Sequence, residues 1–142
     1  MRRLVLAFSL LGFGGCGDDT QSCTTAGCFD QLTIDLAQSF SPDDAYDVTV
    51  ELADETITCS GQGDAFQCDG VGNADYSPAA VNIQGGQVRS VVLMRAPKTF
   101  RLVIESGGSP IVDETVDTIS YSSVYPNGPE CGPACHSGQV QL

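Results

Sequence analysis

Few residues in this chain could do chemistry, and each has a plainer use. Nucleophilic hydrolysis by a Ser-His-Asp arrangement needs an imidazole to carry the proton, and the 142 residues hold a single histidine, His136. It directly follows Cys135 in a proline- and glycine-rich stretch that reads as a loop with a solvated histidine. No G-x-S-x-G elbow supplies a nucleophile. "CGPACH", residues 131–136, places two sulfurs beside that imidazole, which is a zinc-type donor set. No second histidine completes it, and exported cysteines oxidise to disulfides. Glycoside hydrolysis needs two carboxylates, a condition that 18 acidic residues meet by chance. The aromatic platforms that hold sugars are scarce, with no Trp and only Tyr46, Tyr76, Tyr121 and Tyr125. The chain therefore reads as a non-enzyme.

Binding chemistry is better represented. Hard cations prefer carboxylate and carbonyl oxygens on loops, and "DGVGNAD" gathers Asp69, Asn73 and Asp75 with Asp64 nearby, a candidate Ca²⁺ site. No EF-hand pattern is present, and a solvated acidic loop is the plainer reading. Tyr121 and Tyr125 flank "SSV", and on extended chain both point one way. They either form a surface for a partner protein or glycan or pack as a corner on a sheet edge.

The sulfur pattern depends on the start of the chain. Arg2 and Arg3 precede an apolar run from Leu4 to Phe13, then Gly14 and Gly15, the form of a signal peptide over residues 1–15. The run is shorter than the roughly 20 residues a spanning helix needs. "LGFGGC", ending at Cys16, resembles the lipobox of bacterial lipoproteins, departing from it at Phe13, where Leu is usual. That resemblance implies cleavage before Cys16, acylation of Cys16 and permanent attachment to the membrane through several acyl chains. With Gly17 rather than Asp after the cysteine, it implies the outer membrane.

Six cysteines remain, Cys23, Cys28, Cys59, Cys68, Cys131 and Cys135, an even number that in an exported chain implies three disulfides. "TITCSGQGDAFQC" reads as strand, turn, strand, which sets Cys59 opposite Cys68. The other four either close two local loops or tie the beginning of the domain to its end.

Residues 16–28 read as anchor cysteine and acidic linker, and 29–142 as one domain with its own core. Losing Arg2 and Arg3 leaves 4 basic against 18 acidic residues, a charge of −14 that excludes binding to a phosphate backbone. All four basic residues lie between Arg89 and Arg101. They form either a docking patch or, more simply, counter-ions for carboxylates such as Glu105, Asp113 and Glu114.

Period-two alternation marks "LTIDL", "YDVTVEL" and "TFRLVIE" as strands. The first also fits a helical face from Phe29 to Phe40, but that face leaves Ile34 off the stripe, so strand is the expectation. "VRSVVLMRA" is apolar enough for an inner strand, and Ser106 to Ser109 turns a hairpin whose return is disturbed near Asp113. Eight or nine such strands predict an all-β fold, an antiparallel immunoglobulin-like or fibronectin-like β-sandwich stabilised by disulfides.

The tail "YPNGPECGPACHSGQVQL", taken with "CTTAGC", resembles uncharacterised small bacterial lipoproteins in which a cysteine pair frames a proline-glycine loop before the last strand. The resemblance implies a sandwich on a lipid anchor and transfers no active site. The function expected is a structural or protein-interaction module of the envelope, the alternative a Ca²⁺-dependent or glycan-binding surface.

Overall fold

The computed structural model describes residues 27–142 except 39, 42, 64, 70–76, 85 and 86. The leader, Cys16, Cys23, Asp64, Asn73 and Asp75 lie outside the described residues. Ten strands and no helix are found among those described. They are β1 (Gln31–Asp35), β2 (Ala45–Glu51), β3 (Thr56–Gln62), β4 (Ala65–Asp69), β5 (Ala79–Gln84), β6 (Gln87–Leu93), β7 (Phe100–Ser106), β8 (Ser109–Val116), β9 (Tyr121–Val124) and β10 (Cys135–Gln141). Two five-stranded sheets, ordered β5-β6-β1-β10-β9 and β4-β3-β2-β7-β8, form a disulfide-stabilised sandwich.

Alternation builds the core. Leu32 and Ile34 from β1 and Val91 and Leu93 from β6 meet Val48 and Val50 from β2, Ile57 from β3 and Leu102 and Ile104 from β7, all essentially solvent-free. The segment from Phe29 is a strand and not a helix, because Ile34 is needed inside. The apolar run of β6 lies between β5 and β1 and buries Ser90 to Leu93, while Met94 emerges just past its end. The register with β5 slips between Asn82 and Ile83, taking up one residue of β6, so that both Val88 and Val91 join the core.

The hairpin Ser106–Ser109 turns on Gly107 and Gly108, both at positive φ (59° and 76°), as a two-residue turn of right-handed twist requires. Its return strand is irregular opposite Ile104 and Glu105.

Two elements differ from expectation. Strand β9 is added, and β10 starts at Cys135, so His136 is the second residue of a strand and not a loop residue. In addition, β10 runs parallel to β1, with Gln31 beside Ser137 and Ile34 beside Val140. Every other strand pairing is antiparallel. A parallel pair needs a long crossover, and here the whole domain between the two strands provides it.

Candidate functional site

The start of β1, the end of β6, the start of β10 and the end of β9 all lie at one end of the sandwich, the end where the chain enters the domain. The end of β2 and the start of β7 in the second sheet are joined to it through the turn at 94–99. Most of the chemistry-bearing residues gather here.

Sulfur is the first component. Cys28 is bonded to Cys135 across 107 positions of sequence, with 5.9 Å between their Cα atoms. Of the arrangements left open for these cysteines, this one ties the beginning of the domain to its end. Cys59 and Cys68 face one another in the β3–β4 register and are bonded. Cys131 is buried and disulfide-bonded as well. Cys131 and Cys135 are therefore not thiolates, and the zinc reading of "CGPACH" falls.

Beside the Cys28–Cys135 bridge, parallel pairing brings Asp30 against His136. The backbone N–H of His136 donates to Asp30 Oδ1 at 2.8 Å, and His136 Nδ1 lies 3.1 Å from the same oxygen. The backbone bond is the main cause that lowers the Asp30 pKa, with the ring adding to it. Among the described residues the His136 ring bonds to Asp30 alone, and no serine or threonine hydroxyl is positioned on it. The pair orients an imidazole and fastens the entry segment to β10. It holds no nucleophile.

Tyr121 completes this corner. Its hydroxyl donates to the Pro97 carbonyl at 2.7 Å, and burial, then the nearby Asp30 charge, pushes its pKa up to about 12. The ring lies where a side chain at position 138 would be, so Gly138 is what admits it. Tyr121 is thus the corner-packing residue, while Tyr125, 46% exposed, lies beyond the strand. An open cavity of about 460 Å³ is lined by Asp30, Lys98, Asp117, Ile119, Tyr121 and His136.

Two of the basic residues are held as counter-ions. Arg95 is clamped by Glu55 and by Asp54 at 3.3 Å. Arg101 makes a two-pronged contact with Asp113 at 2.8 and 2.9 Å and reaches Glu51 at 3.1 Å. The hydrogen bond from Arg101 lowers the Asp113 pKa. Lys98 pairs with no carboxylate among the described residues. Of the four candidate Ca²⁺ ligands only Asp69 is described, at the end of β4 opposite Thr58. Among the described residues no group of three or more His, Cys, Asp or Glu is arranged to hold a metal ion.

Asp30 was not legible as a site residue. Its one signal is its place two positions after Cys28, and only the parallel register converts that into contact with His136. Compared with known proteins, the chain matches no family model, no curated protein and no solved structure.

Proposed function

We propose that the chain is a lipid-anchored protein of the bacterial envelope whose sandwich is a non-catalytic structural or protein-interaction module. The observation that carries this reading is the Cys28–Cys135 bridge, which fastens the point of chain entry to the last strand. A domain hung from its N-terminus is loaded at that point, and Asp30 with His136 braces the same joint. All five described cysteines are oxidised, which supports an exported location.

With Cys28, Cys59, Cys68 and Cys135 paired among themselves, Cys131 has Cys16 or Cys23 to bond. The anchor reading assigns Cys23 to Cys131 and leaves Cys16 for the lipid. Intact-mass analysis and disulfide mapping of native protein from the membrane fraction test both assignments together. The expected result is acyl mass on Cys16 and six oxidised sulfurs. A Cys16–Cys131 bridge, or unacylated protein with free thiols in the cytosol, would overturn the proposal.

A further inference from the structure

We infer that the entry end of the sandwich rests on the lipid surface, with Phe29, Met94, Val124 and Tyr125 as its contact residues. The inference rests on the lipid-anchor reading and deepens it by assigning an orientation. The described residues expose five large apolar side chains. Four of them, Phe29 (68%), Met94 (38%), Val124 (48%) and Tyr125 (46%), are at the entry end. Ile111 alone is toward the other end.

Register places the four in a row. Leu93 pairs with Leu32, so Met94 stands just past the end of β6; Phe29 leads into β1; Val124 pairs with Cys135 at the end of β9, and Tyr125 follows it. At about 4.8 Å per strand, the row from β6 to β9 is roughly 14 Å wide. Scattered apolar residues are normal on a protein surface, whereas four along one edge mark an interaction site.

The occupant follows from the length of chain ahead of that edge. Cys16 precedes Cys28 by 12 positions, which limits the separation between anchor and bridge to about 40 Å even at full extension. The entry end is thus held within a domain's length of the bilayer, where even a weak apolar contact is repeatedly sampled. Charge at this end is mixed. Glu51, Asp54 and Glu55 are held by Arg95 and Arg101, Asp30 lies against His136, and Lys98, which has no carboxylate partner among the described residues, lines one cavity with Asp117, whereas Asp35, Asp43 and Asp44 lie toward the far end.

The chain contains no tryptophan, so a single introduced one reports alone. Full-length protein carrying Tyr125→Trp, produced with its own leader and reconstituted into phosphatidylcholine vesicles, is compared with Ile111→Trp in the same vesicles. Lipids brominated near the headgroup are expected to quench the Tyr125→Trp reporter several-fold more than the Ile111→Trp reporter and to shift its emission to the blue. Met94→Trp is a second reporter should Tyr125→Trp fail to fold. Equal quenching in acylated protein would overturn the orientation alone. Absence of acyl mass on Cys16 in the same sample would remove the anchor and this inference together. A blue shift of the Tyr125→Trp reporter on adding a soluble chitin oligosaccharide, without quenching by brominated lipid, would assign the edge to a glycan and also overturn it.

Discussion

Asp30 shows how one exposed carboxylate gains structural weight from its position. Its Oδ1 accepts the backbone N–H of a residue 106 positions away whose ring Nδ1 also lies against it, and the larger of the two effects comes from that backbone N–H, which mutation of His136 would not delete. Because its pKa is lower in the folded protein than in the unfolded chain, folding is favoured by its ionisation. That contribution is complete above the ordinary carboxylate value of 3.8 and is lost as pH falls through the lower folded value. The difference in unfolding free energy between wild type and Asp30→Asn should therefore be largest above about pH 5 and shrink toward about pH 2, measured by urea titration at each pH. A pH-independent difference would mean that Asp30 acts through shape and not charge. Tyr121→Phe tests the neighbouring bond to Pro97, and its loss should cost about 1 kcal/mol. These contacts hold His136, read from the sequence as a loop residue, in a strand beside Asp30.

At the scale of elements, strands whose alternation buries one face were legible, and strands defined by pairing alone were not. Val48, Val50, Leu102 and Ile104 announce β2 and β7 because each faces the core, and the Gly107-Gly108 turn announces its hairpin. The Cys59–Cys68 pair could be read for the same reason, as both cysteines lie across one local hairpin. Strand β9 and the start of β10 are short polar residues, Ser122, Ser123, His136 and Ser137, whose strand character comes from neighbours remote in sequence. Gly138 conceals the pattern further, since a glycine at a buried strand position contributes nothing to alternation. Its reason is steric: an added Cβ would stand 2.6 Å from the Tyr121 ring and 3.3 Å from Leu32. Gly138→Ala should accordingly cost about 1–3 kcal/mol in chemical denaturation. Gly27→Ala, with open space around the added carbon, should be silent. The long edge strand β8 carries its own protection against pairing with other chains, with Pro110 near its start, an irregular register and Glu114 in line with the inward positions opposite Leu102.

For the molecule as a whole, the two described bridges do different work, and the difference is measurable. Cys59–Cys68 closes a loop of nine positions within one hairpin, so its loss frees little of the unfolded chain. Cys28–Cys135 closes 107 positions and joins β1 and β10, which are neighbours inside one sheet but belong to opposite ends of the chain. The Cys23–Cys131 bridge proposed above would close nearly the same long loop, so the comparison belongs in protein carrying Cys23→Ala and Cys131→Ala, where chain-entropy scaling gives about 2.6 kcal/mol for the short loop and about 4.8 kcal/mol for the long one. In that background the further pair Cys28→Ala with Cys135→Ala should lose about 2 kcal/mol more in urea unfolding than Cys59→Ala with Cys68→Ala. Its loss should also be localised, because the bridge fastens the residue leading into β1 to the start of β10, beside their shared parallel register. Amide exchange at Ile34 and Val140, partners in the parallel register, should quicken before exchange at Val50 and Leu102 in the second sheet. The opposite order, with the hairpin bridge the costlier to lose and both sheets exchanging together, would show that β1 and β10 are held by packing alone and that the bridge is not what secures the entry point.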